Sequence, residues 1–79
     1  MMTPHTFAHA GIDYRIEFDR YEAGWRGVLY RDEARLGEVG SMPDKFRLSE
    51  GAIQKSIAAA ARGLLADPAY RQPKVRPAE

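Results

Sequence analysis

The sequence predicts an α+β domain, a three- or four-stranded antiparallel meander with one C-terminal helix packed on one face. Three observations predict it. Apolar and charged residues alternate in the front part of the chain, turn residues separate several such stretches, and a single stretch of helical periodicity follows them. A sheet with one apolar face needs one covering layer, which one helix can supply.

Residues 11–21 carry the strongest strand signal, because apolar and charged side chains alternate with a period of two. The apolar side chains predicted to face the core are Ile12, Tyr14, Ile16 and Phe18. The charged side chains between them are Asp13, Arg15, Glu17 and Asp19. This pattern is typical of an antiparallel strand with one solvated face, on which a cross-strand cation such as Arg26 can pair with a carboxylate.

The remaining strands are shorter and less regular. They are predicted at residues 5–9, 25–31 and 34–39. Gly37 inside the last of them indicates a bulge or a close backbone approach. Residues 40–44 are predicted to form a loop, because Pro43 cannot donate to a strand ladder. The sheet is expected to add Trp25, Leu29 and Leu36 to the core.

The helix is predicted to begin after Ser49, whose hydroxyl can cap the first turn, and to end before Pro68. Leu48 and Ile53 have the spacing of a hydrophobic staple. The predicted apolar stripe contains Ile53, Ile57, Ala60, Ala61 and Leu64. The predicted outer side contains Lys55, Ala58, Ala59, Arg62 and Ala66.

The 79 residues allow one domain, which we place at residues 5–67, followed by a Pro-rich tail at 68–79. The tail is expected to be disordered beyond about Arg71. No basic cluster or long apolar run marks a signal peptide, and no stretch is long enough for a membrane span. With no cysteine, a disulfide, a Cys-based zinc site and a thiol nucleophile are excluded. We expect a cytoplasmic protein without membrane contact.

No residue pattern points to catalysis or to a cofactor. His5 and His9 are the two histidines, whereas a zinc site usually needs three or four protein ligands. The glycines match neither a phosphate-binding loop nor a dinucleotide-binding turn, and there is no nucleophile elbow. The sequence therefore predicts a non-enzymatic protein with no cofactor and no metal.

The main functional prediction is protein–protein interaction, with an unknown partner or a second copy. Residues 42–46 place Met42 and Phe46 on a loop before the helix. The sheet has at least one free edge, and edges accept added strands. The small alanines of the predicted outer helix side would also let another backbone approach closely.

Nucleic-acid binding is the alternative. The basic residues that could carry it are Arg26, Arg35, Lys45, Arg47, Lys55 and Arg62. The net charge of +1 divides into −1 over residues 1–48 (7 basic, 8 acidic) and +2 over residues 49–79 (5 basic, 3 acidic). The basic excess therefore lies on the helix and tail, while the carboxylates of the long strand would repel phosphate.

The combination that follows is a glycine three positions ahead of an alternating Tyr-x-Ile-x-Phe run, then a Gly-Trp pair, a tyrosine and a later helix. The residues are Gly11, Tyr14, Ile16, Phe18, Gly24, Trp25, Tyr30 and Ala52. In this combination the chain resembles a group of short uncharacterised bacterial proteins, some of them found in prophage regions. The resemblance implies a β-meander followed by a helix, with no assigned activity.

Two better-known families share the same order of strands and helix. The chain is similar to HicB-like antitoxin domains, which bind a protein partner, but residues 30–33 replace their Pro-Asp-Leu-Pro-Gly-like segment. It is also similar to AP2-like arm-binding domains of phage integrases, in Phe46 followed by Ser49, Glu50 and Ala52. That resemblance implies DNA binding by the sheet, although the basic run expected before the helix is missing. No site residue is assigned from either family.

Overall fold

Four antiparallel strands and one helix make up this computed structural model, which describes residues 2–73. The strands are β1 (His5–His9), β2 (Ile12–Tyr21), β3 (Gly24–Arg31) and β4 (Ala34–Pro43). A short 3₁₀ turn, Asp44–Phe46, leads to helix α1 (Glu50–Ala66). The strands lie in the sheet in chain order, so the predicted meander is confirmed with four strands.

Two residues connect each pair of neighbouring strands. Ala10 and Gly11 both have positive φ, 51° and 78°, between β1 and β2. Positive φ at both central residues matches the twist of a tight hairpin, and Gly11 adopts it without steric cost. Asp32 begins the β3–β4 turn with a φ of 54°. These short connections set the register of the whole meander.

Strand β4 is longer than predicted. Residues 40–43, which we expected in a loop, continue the strand, and Gly40 pairs with Gly27 while Pro43 pairs with Gly24. The proline is tolerated because it ends an edge strand, where a missing N–H removes no essential ladder bond. The irregularity predicted at Gly37 is present as register shifts on both sides of that residue.

Helix α1 begins and ends where predicted. The Ser49 hydroxyl accepts a hydrogen bond from the Ala52 amide at 3.2 Å, and Asp67 is the C-terminal cap. The buried residues of α1 are Ile53, Ile57, Ala58 and Ala61. The prediction was therefore wrong at Ala60, which is exposed, and at Leu64, because Leu65 packs against the core instead. It was also wrong at Ala58, which was expected on the outer side of the helix and is buried. Within a run of alanines and paired leucines, periodicity alone does not decide which neighbour turns inward.

The helix approaches the sheet most closely at two glycines. A Cβ at Gly27 would clash with Ile57 Cγ2 and would lie 3.0 Å from Ile16 Cγ2, while one at Gly40 would lie 3.6 Å from Ala60 Cβ. Ile57 itself is only 1% exposed. The absence of side chains at the paired glycines thus creates the groove that receives this isoleucine.

Two predicted core residues and the predicted staple residue are less buried than expected. Ile12 is 38% exposed because it stands at the end of β2, beside the hairpin turn. Trp25 packs against the core but is only half-buried. Leu48 is 43% exposed, so the predicted staple does not add it to the core. Leu36 is buried, as predicted.

Both ends of the described chain add contacts that the sequence did not predict. Met2 is buried at 3% exposure, and the neighbouring Thr3 carbonyl accepts a hydrogen bond from Gln54 of α1 at 2.8 Å. Beyond the helix, Gln72 donates to the Tyr14 hydroxyl at 3.0 Å and accepts from Arg31 at 2.7 Å. The predicted disorder beyond about Arg71 concerns mainly residues 74–79, which lie outside the described residues.

Replacing Gly27 by alanine is expected to lower the free energy of unfolding by about 1–3 kcal/mol, the usual cost of overpacking a core. The new methyl group would clash with the β-branched side chain of Ile57, which is 1% exposed. Chemical denaturation followed by circular dichroism measures the change.

Gly63→Ala is the matched control, since nothing lies within 4 Å of a Cβ at that exposed helical position. It should raise the free energy of unfolding by roughly 0.5–1 kcal/mol. Equal effects of the two substitutions would contradict the close approach of helix and sheet at Gly27.

Candidate protein-interaction surface

The sheet face opposite α1 is uncovered and carries mostly charged side chains. Its exposed or half-buried side chains are Thr6, Ala8, Asp13, Arg15, Glu17, Asp19, Arg26, Tyr30, Arg35, Glu38 and Ser41. Arg26 donates to Asp19 directly across β2 and β3 at 2.6 Å, which confirms the predicted cross-strand pairing. Arg15 donates to Glu17 at 2.8 Å and lies 4.6 Å from the Tyr30 ring centroid. We call this surface the open face.

The six basic residues considered for nucleic-acid binding do not form one patch. Arg26 and Arg35 are on the open face, whereas Lys55 and Arg62 belong to α1 in the other layer. Arg62 lies over the Phe7 ring at 5.1 Å from its centroid.

Lys45 and Arg47 lie on either side of Phe46 at the end of the 3₁₀ turn, which belongs to neither layer.

The hydrogen bond from Arg26 to Asp19 raises the pKa of the Arg26 guanidinium. The charge of Arg26 is therefore already matched within the chain.

A different feature stands out where β2 ends. Arg20 donates two hydrogen bonds to the Asp44 carboxylate, at 2.8 and 2.7 Å. The same guanidinium lies over the Trp25 ring, 5.1 Å from its centroid. The Asp44 amide in turn donates to the Ala23 carbonyl at 2.8 Å. We call this set of contacts the clamp, because it joins the β2–β3 hairpin to the 3₁₀ turn.

Glycine allows the clamp to close. A Cβ at Gly24 would clash with the Met42 carbonyl oxygen and would lie 2.8 Å from Pro43 Cα. Only a residue without a side chain lets β3 pass so near the end of β4. The bidentate arginine–carboxylate pair then adds two directional hydrogen bonds to this close backbone contact.

The clamp holds four residues outward, Lys45, Phe46, Arg47 and Leu48, which we call the apex. Phe46 is 57% exposed, the largest exposed fraction among the large apolar residues of the described chain. Lys45 Nζ lies 5.4 Å from the centroid of its ring, and Arg47 has a φ of 51°. The apex therefore presents an aromatic ring and a leucine with a cation next to each.

A concavity lies at the opposite end of the sheet. It has a volume of about 490 Å³ and is lined by Thr6, Phe7, Ala8, Asp13, Tyr14, Arg15 and Asp32. Phe7 and Tyr14 have their rings in the core, stacked at 5.6 Å, so they contribute mainly backbone to its floor. We call this concavity the end cavity.

Over residues 2–73, no group of three or more His, Asp or Glu side chains is placed to hold a metal ion. In the same part of the chain, His5 Nε2 is buried without a hydrogen-bond partner. None of the helices described is long and apolar enough to cross a membrane.

Of the two candidate contacts predicted from the sequence, Phe46 is exposed, whereas Met42 lies in β4 and packs against the core, so the prediction for Met42 was wrong. The clamp was not predicted. One signal was available. Arg20 follows Phe18 at the spacing that places it on the apolar side of β2, where a charge needs a partner. Its partner, Asp44, is 24 residues away, and no local pattern links the two. Comparison with protein-family models, curated proteins and solved structures finds no match to this chain.

The clamp predicts a shifted titration. Because Asp44 accepts two hydrogen bonds from Arg20, the pKa of its carboxyl is lowered. The pair therefore contributes stability above the unfolded-state pKa of about 4, and this contribution is lost as the pH falls through the lower folded-state pKa. Carbon-detected NMR of the Asp44 carboxyl should give a midpoint below about 4.

Arg20→Gln should return that midpoint to about 4, and the amide resonances of the apex should shift with the same midpoint in the wild type. Identical Asp44 midpoints in the wild type and the Arg20 variant would show that the ion pair is absent in solution.

Proposed function

We propose that this domain is a non-enzymatic binding module that recognises a protein partner through the apex. The observation that carries the proposal is the exposure of Phe46 on a turn that the clamp holds in place. An exposed aromatic side chain on a fixed backbone is a typical anchor residue of protein interfaces. The same ring on a mobile loop would support the proposal less, because ordering it would oppose binding.

The energetics fit a single anchor with secondary contacts. Burying a phenylalanine side chain completely contributes about 1.5–3 kcal/mol, and Leu48 can add a smaller amount because it is already partly covered. Arg20, Asp44 and Gly24 order the turn before any partner arrives. Most of the entropy cost of presenting the ring is therefore met on folding.

The cations of the apex define the chemistry of the partner. Lys45 and Arg47 precede and follow Phe46, and both are exposed. A complementary surface would offer an apolar recess for the ring with carboxylates at its rim. Such charges contribute mainly to specificity and to the rate of association.

The dispersal of the basic residues favours a protein partner over nucleic acid. Arg26 and Arg35 lie across the sheet from Lys55 and Arg62, so one duplex could not contact all four. The open face also carries Asp13 and Glu17 beside its arginines. A phosphate backbone on that face would meet carboxylates as well as cations.

Selection of a random peptide library against the immobilised protein tests the proposal. We expect enriched peptides to combine an apolar residue with Asp or Glu. Phe46→Ser should weaken their binding about tenfold or more, because the burial of the ring is lost. Fluorescence anisotropy with the selected peptides measures the affinities.

Ile12→Ser is the matched control. Ile12 is also an exposed apolar residue, but it lies at the start of β2, whereas the clamp residue Arg20 lies near the end of that strand. The affinity of the Ile12 variant for the selected peptides should equal that of the wild type. Peptides that bind the Phe46 variant as well as the wild type would place the binding surface elsewhere.

A further inference from the structure

We propose that the partner recognised by the apex is a second copy of this chain, whose end cavity receives Phe46. This inference rests on the proposed function of the apex and adds the identity of the occupant. The two surfaces lie on every copy, one at each end of the sheet. Association would therefore run head to tail.

The end cavity has a volume and a lining that can accommodate an aromatic ring. Its volume of about 490 Å³ falls in the range of about 300–1,000 Å³ that is typical of ligand pockets. Thr6 and Ala8 are small, and the rings of Phe7 and Tyr14 lie on the core side of the sheet. Strand backbone and two short side chains therefore form the floor, and no large side chain of the floor fills the cavity.

The charges of the two surfaces are complementary. Asp13 and Asp32 line the end cavity, and among residues 2–73 neither of them forms an ion pair. Lys45 and Arg47 flank the ring that would enter. The two carboxylates of one copy would thus face the two cations of the next.

Arg15 also lines the cavity, and it carries the same charge as the two cations that flank Phe46. Its guanidinium donates to Glu17 at 2.8 Å and to the Asp32 carbonyl at 3.4 Å, and it stacks on Tyr30. Its position is therefore set by contacts within its own chain. An incoming Phe46 ring could lie against the cavity wall that this guanidinium forms.

The geometry of the sheet prevents a chain from satisfying itself. Asp13 stands at the start of β2 and Asp32 in the turn before β4, whereas the apex follows the end of β4. The longest dimension of the described molecule is 39 Å. Different surfaces meeting in each contact make a heterologous interface, which builds rings or open chains instead of a closed two-fold dimer.

Two complementary variants test this arrangement. Phe46→Ser removes the anchor and keeps the cavity, whereas the double variant Asp13→Lys/Asp32→Lys removes the acidic rim and keeps the apex. Sedimentation velocity and light scattering should show a wild-type mass that rises with concentration beyond twice the monomer mass of 8.9 kDa. Each variant alone should stay at 8.9 kDa, and their equimolar mixture should form a complex of twice that mass.

A charge exchange provides the second arm. Lys45→Glu/Arg47→Glu should not associate alone but should pair with Asp13→Lys/Asp32→Lys, and added salt should weaken every contact. Asp13→Asn/Asp32→Asn keeps the side-chain sizes if the lysine variant fails to fold. Circular dichroism establishes that each variant is folded.

The outcomes separate this inference from the function it rests on. A wild type that stays monomeric at millimolar concentration, yet binds the selected peptides through Phe46, overturns the second copy as partner and leaves the apex as a binding surface. Association that Phe46→Ser does not weaken overturns both. Failure of the mixed variants to combine, with an associating wild type, overturns the head-to-tail contact.

Discussion

The packing of Ile57 against Gly27 and Gly40 determines how closely the helix lies on the sheet. One helix has to supply the whole cover of a four-stranded sheet, and a domain of this size buries only about 60% of its unfolded surface. The two paired glycines let α1 approach closely enough for one isoleucine to reach the sheet. The sheet face that the helix does not cover is exposed to solvent, and it therefore carries charged side chains that pair with one another.

The same constraint produces the apex. The chain has to pass from the end of β4 to the first turn of α1 through residues 44–49, outside the covered layer. Arg20 and Asp44 anchor this passage to the β2–β3 hairpin. The helix cannot bury Phe46 from that position, so a fixed aromatic ring is left in solvent. The binding surface is therefore a consequence of how a small domain closes its core.

Local patterns predicted the fold because each element of this chain carries its own signal. The alternation in β2, the cap at Ser49 and the proline after α1 all agree with the structure. Residues 40–43 were misassigned because the penalty for proline vanishes at an edge, and edge position is a property of the sheet. The clamp was missed because Arg20 and Asp44 meet only after the meander has formed. Phe46 was predicted to be exposed because it follows Pro43 in a segment with neither a strand nor a helix pattern.

The proposed contacts use the apex and the end cavity, at the two ends of the sheet, and this placement leaves the centre of the open face free. Amide chemical shifts of the wild type, recorded by ¹H–¹⁵N NMR over a dilution series, test it most directly. We expect concentration-dependent shifts at Phe46 and Arg47 and at Ala8, Asp13 and Asp32. The amide of Val28, which pairs with Glu17 and Glu38 at the centre of the open face, should not shift. Shifts centred on Val28, or none at Phe46, would contradict it.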